Sequence, residues 1–451
     1  MRGFNTLLFV LFALSANAAD GTLGTVSVQK GNNVSVNGEA PLSLTLDGKE
    51  HQSCQFLSKR APDESHEFTW KEVTTTRGGE LAEILGDQLR SVDSLVVKGN
   101  VNDKDFHAMW DASLYGYLSV INLKNAVLEN NAVPDTAFFH ENEQYEGSSH
   151  EIFYYIGLRK IILPEGLEKI GEGAFYQASA LRQVNFPSTL RYIGDFAFNA
   201  TKLEMNQLVI PEGVEEINQY AFAFCRKLKA QVTLPSTIKK IGEWAFYGCP
   251  ITSINLPEGL ESLGSLAFWD CDLREVSIPS SCHEFNEGWQ FGFNRNLEKM
   301  HLPEGMTEIP DHFAVDCFRL REVNFPHTLK HIGEKAFSLC ISLKNVDLPL
   351  GMQSLGEEAF SELEALEQIV FPASMKSLGK NSCSYWKNIK RIYCAAMEPP
   401  VCDPTDGGVF SGFDFPDGLN TPVVYVPKGT INKYKDTSRN CMGWEKFWNY
   451  V

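Results

Sequence analysis

From Leu158 to Pro372 the apolar residues fall in one recurring order: Leu-x-x-Val-x-Leu-Pro, a small pair, then Leu-x-x-Ile-Gly-x-x-Ala-Phe-x-x-Cys. Pro marks each copy, at 164, 187, 211, 235, 257, 279, 303, 326, 349 and 372, in steps of 22–24 residues. The copies beginning at Leu158 (LRKIILPEGLEKIGEGAFYQA) and Leu343 (LKNVDLPLGMQSLGEEAFSEL) show it plainly. A period of this size predicts a solenoid. Val276 and Ile278, two apart, point to one face of a strand. Pro279 cannot donate to a ladder and ends that strand. Leu260 and Leu263 form a second apolar pair, and Gly264 permits a turn that other residues would strain. Ala267 to Cys271 reads as one short helical turn whose Phe plugs the coil.

No copy closes a core alone, so the coils must stack. At ~4.8 Å per strand, ten coils make an array on the order of 50 Å long, with one parallel sheet along one side. The expected fold class is an α/β repeat solenoid with short strands on that side and helical turns elsewhere. Phe175, Phe198, Phe222, Phe246, Phe268, Phe337 and Phe360 are its expected buried plugs. Five Cys (225, 249, 271, 317 and 340) share one slot, three residues after the Phe position. Small buried filler describes them better than a metal ladder or reactive thiols. The coil from Ser281 to Phe293 departs from the pattern, with Cys282 in a Leu slot and Trp289 near the Ala slot, and is expected to bulge.

The flanks divide the chain further. Residues 1–18 read as a signal peptide: Arg2, the apolar run Leu7 to Leu14, and a small-residue cleavage site ending at Ala18. Residues 19–75 alternate apolar and polar positions with Asn37-Gly38 and Asp47-Gly48 turns, which is β-hairpin material. Residues 76–157 predict an N-terminal cap, with helical spacing at Glu80 to Leu89 and Asp105 to Leu118, strands at Val92 to Val97 and Val120 to Leu123, and an irregular first repeat. Residues 158–389 are the regular array. Residues 390–451 predict a C-terminal cap, with strands at Ile392 to Cys394 and Val423 to Val426, a short helix from Ile431, and Trp444 and Phe447 folded over the open end.

Composition narrows the partners. A net charge of −17 argues against nucleic acid and against electrostatic binding to anionic membranes. The apolar run near the start is too short to span a bilayer. The chain is therefore expected to be secreted or displayed at the cell surface after cleavage near Ala18. Eleven Cys in an exported chain would ordinarily suggest disulfides, but the shared slot accounts for five of them. Asn33-Val-Ser35 and Asn199-Ala-Thr201 match glycosylation sequons.

The Ile-Gly-x-x-Ala-Phe-x-x-Cys and Leu-Pro-x-x-Leu slots resemble the BspA-like leucine-rich-repeat family. The resemblance runs from about Leu81 to Val451. It takes in Leu95-Val-Val-Lys-Gly-Asn-Val-Asn-Asp-Lys-Asp105 and the tail Val424-Tyr-Val-Pro-Lys-Gly-Thr-Ile-Asn-Lys-Tyr434. It implies an exported or surface-displayed protein engaged in adhesion to host proteins or other cells. It implies no shared catalytic residues.

No enzyme signature accompanies the repeats: there is no Gly-x-Ser-x-Gly, His-Glu-x-x-His, phosphate loop or Cys-x-x-Cys. No cofactor or metal is expected. The candidate binding residues are the outward strand positions of the middle coils, Asn255, Ser277, His301, Asn324 and Asp347, a polar stripe suited to a protein partner. A second candidate is aromatic: Tyr176, Tyr247 and Trp269, each directly after the Phe slot, with Trp244 nearby. If exposed, these favour a glycan-binding role in nutrient capture.

Overall fold

The computed structural model describes residues 66–139, 156–403, 408–412, 422–436 and 444–447, with the backbones of four strands between 24 and 51. The segment 1–18 and the polar insertion His140 to His150 lie outside the described residues. Gly24–Gln29 pairs antiparallel with Asn33–Gly38, and Leu44–Leu46 with Lys49–His51.

The array is a parallel solenoid. Each regular coil except the one ending at Pro349 carries a first strand before its Pro, and within each ladder segment the strands of successive coils pair in register, as Gln231↔Ser253 and Val232↔Ile254 do. A second two-residue strand follows, as in Lys240↔Ser262 and Ile241↔Leu263. Two parallel ladders therefore run along the molecule where one was expected. Leu-x-x-Ile supplies the second: Ile241 is fully buried while Lys240 points outward, which is strand alternation. The first ladder is not continuous. It runs in four segments, one of five strands and three of three, with breaks after Gln183–Val184, Ser253–Asn255 and Glu322–Asn324.

The Ala-Phe-x-x-Cys segments are not helical. Trp244 and Gly248 bracket Ala245-Phe246-Tyr247 with φ of 58° and 66°. The N–H groups of Trp244, Phe246 and Gly248 donate to the carbonyls of Ser265, Ala267 and Trp269 in the next coil at 2.9, 2.9 and 2.8 Å. Those of Ala245, Tyr247 and Cys249 donate within the coil, three residues back. A helix would keep every donor inside the segment. Alternating left- and right-handed residues send every second peptide along the solenoid instead, making a third ladder. Gly264 also has a different reason from the one its sequence suggests. Its φ is not positive, and a Cβ there would stand 2.4 Å from the Glu243 nitrogen of the preceding coil. Close approach of two backbones, not turn geometry, demands glycine.

Every expected Phe plug is fully buried. From Phe138 to Phe291 the rings stack coil on coil at 5.1–5.6 Å. The stack turns edge-to-face at Phe313, 76° from Phe291, because Phe313 fills the Ala slot and Ala314 the Phe slot of that coil. The five Cys are buried free thiols, and they do more than fill space. Each donates to a carbonyl of the coil before: Cys225 to Phe198 (3.2 Å), Cys249 to Phe222 (2.9 Å), Cys271 to Phe246, Cys317 to Phe291 and Cys340 to Ala314 (3.3 Å each). Asn294 occupies the same slot and gives the same bond, to Phe268 at 2.7 Å. The irregular coil bulges as expected, with Glu287, Gly288 and Trp289 at positive φ in succession.

At the N-terminal side, Trp70–Thr75, Ser94–Val101 and Val120–Leu128 extend the first ladder. The helix Asp103–Tyr115 is fixed at its start by a capping box between Asn102 and Asp105. Asp105, fully buried, also accepts from the Gly79 and Leu81 N–H groups at 2.6 and 2.9 Å. At the other side, Trp444 is buried edge-on to Phe371, Phe410 and Tyr434.

Candidate interaction surfaces

The strand stripe is outward-facing, but it is not one row. Asn255, Ser277, Asn324 and Asp347 are exposed and His301 is half-exposed. Ser277, His301 and Asn324 are register partners on three paired strands. Asn255 ends the neighbouring ladder segment, paired to Thr233 and not to Ser277. Asp347 lies in a coil without a first strand.

Asn324 has a second task. Its Oδ1 accepts from the Leu302 N–H at 2.8 Å, and its Nδ2 donates to the Leu302 carbonyl at 3.0 Å. Elsewhere in the ladder such an N–H meets a backbone carbonyl of the next coil, as Ile278 meets His301 at 2.9 Å. Asn185 serves Leu163 in the same way, at 2.7 and 3.0 Å. These Asn side chains hold the strand end where the backbone ladder stops, so Asn324 is structural as well as exposed. His301 Nε2 lies 3.3 Å from Glu275 Oε1 of the coil before.

The aromatic candidates divide. Tyr247 and Trp269 are 3% and 9% exposed, packed between neighbouring turns, while Tyr176 and Trp244 are half-buried. The larger aromatic feature is one that the sequence reasoning passed over. The residue two before the Phe slot in successive coils is Phe196, Tyr220, Trp244, Leu266 and then Trp289 (which precedes Gln290-Phe291), each half-buried on the outer side of the turn ladder. Each holds a φ of 56–67°, a region that bulky side chains rarely adopt. Phe196 stacks on Tyr220 at 4.7 Å, Tyr220 on Trp244 at 5.3 Å, and Trp289 on His312 at 3.6 Å. Burial, then the nearby Glu243, pushes the Tyr220 hydroxyl up to about 12. An aromatic at a fixed offset before Ala-Phe in consecutive copies was the signal that could have found this row.

Burial pushes the Cys249, Cys271, Cys317 and Cys340 thiols well up, so they stay protonated inside the coil. The sequon at Asn199 is closed, since that side chain is 2% exposed.

The family model described as a BspA type leucine-rich repeat region, present in six copies, matches residues 148–231, 230–337 and 312–397, more than half of the chain. Solved structures similar to it include a leucine-rich repeat protein from Bacteroides ovatus, 20% identical over 82% of this chain and 92% of that one, with a TM-score of 0.49. A leucine-rich cell surface protein from Faecalibacterium prausnitzii is 21% identical over 59% and 83%, with a TM-score of 0.34. The pneumococcal vaccine antigen PcpA is 18% identical over 91% and 93%, with a TM-score of 0.35. No curated protein matches the chain.

Proposed function

The chain belongs to the BspA-type leucine-rich-repeat family, and we propose that it is an exported scaffold without enzymatic activity that holds a protein partner in adhesion-type contact. Support for export comes from Arg2, the run Leu7 to Leu14 and the site at Ala18. The segments 76–157 and 390–451 would close the two ends of the array, where a bare coil would expose its apolar interior.

The observation that carries the proposal is the split along each first strand of the middle coils. Ile254, Val276 and Met300 are buried in the common core, while Asn255, Ser277 and His301 face outward. The core fixes the backbone, and the outward positions are left to the partner. From Asn255 to Asp347 the stripe spans about 20 Å at strand spacing, a length that suits an extended peptide or the edge of a folded protein.

The glycan alternative is left without its support. Exposure of Tyr247 and Trp269 would have favoured it, but both are buried, and the half-buried rings beside them turn their faces to one another rather than to solvent.

The test is capture of extracellular-matrix proteins by the chain from residue 19 onward, run beside a glycan array. Binding found there should fall at least about tenfold in Asn255→Lys/Ser277→Lys/His301→Lys, with the melting temperature unchanged because these side chains face water. Asn324 is kept for its bonds to Leu302. Unchanged affinity in that triple variant would remove the strand stripe from the site.

A further inference from the structure

The turn ladder needs none of its large outer side chains. Its hydrogen bonds are backbone bonds, and the aromatic cluster around Phe224, Tyr247 and Trp269 is separate from the main core. The same face shows what the fold does when nothing else is asked of it. In later coils the left-handed positions carry Lys335, Glu358 and Asn381, and the residues after the Phe slot are Ser338, Ser361 and Ser384. Glycine or Asn would hold the left-handed backbone with less strain. The left-handed backbone is common to all these coils; what is confined to the middle coils is the large apolar side chain at this position, Phe196, Tyr220, Trp244, Leu266 and Trp289.

The rim gives the patch a sign. Asp195 directly precedes Phe196, Glu243 precedes Trp244, Glu287 lies two residues before Trp289, and Asp311 precedes His312. Among the described residues none of these four carboxylates forms an ion pair, but Asp195 accepts from the Gln219 N–H at 3.0 Å, Glu243 from Gln219 Nε2 at 3.3 Å and Asp311 from the Glu334 N–H at 2.6 Å, and Lys240, paired with Glu216, also feels the charge of Asp195 and Glu243. The Arg side chains on the opposite rim are engaged: Arg226 pairs with Asp270 and lies over Phe224, and Arg295 lies over Phe293.

We propose that the aromatic row with its carboxylate rail is a second docking surface, and that its occupant is a basic segment of a protein partner that alternates Lys or Arg with apolar residues. Apolar side chains of that segment cover the ring edges, and its cations meet the rail. The row from Phe196 to His312 spans about 24 Å at strand spacing, the reach of roughly seven extended residues. A sugar ring is disfavoured because it needs an open ring face, and Tyr220 has Phe196 on one side and Trp244 on the other. This surface lies on the turn ladder and stands independently of the strand stripe.

The experiment titrates the full chain with three labelled 12-residue peptides: alternating Lys-Leu, alternating Glu-Leu, and alternating Lys-Ser. Lys-Leu should bind, Glu-Leu should not, and Lys-Ser should bind at least tenfold more weakly. Trp244→Asn/Trp289→Asn keeps a residue that tolerates the left-handed backbone and should weaken Lys-Leu binding about tenfold or more. Glu243→Gln/Glu287→Gln, which replaces no ring, should weaken it severalfold. Glu357→Gln/Glu358→Gln, off the patch with the same change of charge, should leave it within twofold. Equal losses in the on-patch and off-patch charge variants, binding of Glu-Leu, or full binding by the double Trp variant would overturn the proposal. So would a sedimenting dimer that Trp244→Asn/Trp289→Asn dissociates, since the occupant would then be a second copy of the chain.

Discussion

His312 concentrates several constraints in one side chain. It holds a φ of 56°, stacks at 3.6 Å on Trp289, and keeps its Nε2 3.7 Å from Glu334. Its Nδ1 is buried without a hydrogen-bond partner. Desolvation lowers its pKa; Glu334 and Asp311 pull it back up and Lys335 pushes it further down, and the net direction is down. The neutral ring is thus the form that the folded chain prefers. An unfolded His takes its proton near pH ~6.5. Below that pH the unfolded chain binds more protons at this site than the folded one, so the stabilisation present above ~6.5 is lost as pH falls. His312→Asn keeps a residue suited to the left-handed backbone and cannot titrate. Between pH 7.5 and 5 the wild-type chain should lose more stability to denaturant than this variant does. Parallel losses in the two proteins would show that the imidazole is not held neutral.

At the scale of the coil, the residues after each Pro alternate in kind. Pro-Glu-Gly at 164, 211, 257 and 303 alternates with Pro-Ser-Thr, Pro-Ser-Ser or Pro-His-Thr at 187, 235, 279 and 326. The structure explains the alternation. Glu212 accepts from the Ser236 N–H and hydroxyl at 3.1 and 3.0 Å, while the Thr237 hydroxyl accepts from the Gly213 N–H at 2.9 Å and donates to the Val214 carbonyl at 2.8 Å. Glu165 with Ser188 and Thr189, and Glu258 with Ser280 and Ser281, repeat the set. Thr237→Val leaves two backbone groups without that hydroxyl and should cost about 1–3 kcal/mol. Thr233→Val, exposed on a strand, should stay within about 0.5 kcal/mol; equal effects in denaturant titrations would mean that the bonds carry no weight. The alternation stood in plain view in the sequence and passed there as a small pair, because a single-coil period averages over it. The core was legible for the opposite reason: Phe246 or Ile241 meets the same neighbours in every coil, so period and burial coincide. The turn ladder was not legible, since Ala-Phe-x-x-Cys has helical spacing and only the left-handed φ at positions such as Trp244 and Gly248 separates the two. The stripe was legible as a set of outward positions, but the breaks beside Asn255 and Asn324 were not, because they depend on how neighbouring coils stack.

For the whole molecule, the alternation sets the unit of assembly. Repeat arrays gain stability from intrinsic coil terms and from interfaces between neighbours, and here the two faces of a coil are not alike. A Pro-Glu-Gly coil offers a carboxylate and a glycine N–H to the coil that follows, and the Ser and Thr of that coil complete the set. Removing residues 235–256 would set the coil at Pro211 directly on the coil at Pro257, so two Pro-Glu-Gly coils would meet. Glu212 would then face Glu258, and the Gly213 N–H would lose its hydroxyl. Removing residues 211–256 instead joins Ile210 to Pro257. The coil at Pro187 is then followed by a Pro-Glu-Gly coil, as it is in the intact chain, and no complementary pair is broken. The Phe stack and the Cys-to-carbonyl bonds repeat with a one-coil period, so both deletions should retain them. The longer deletion removes more core and yet should leave a chain that melts closer to the intact one than the shorter deletion does. Thermal melts of the two chains decide it: a one-coil deletion that melts at or above the two-coil deletion would show that the coils are interchangeable and that the repeating unit is single.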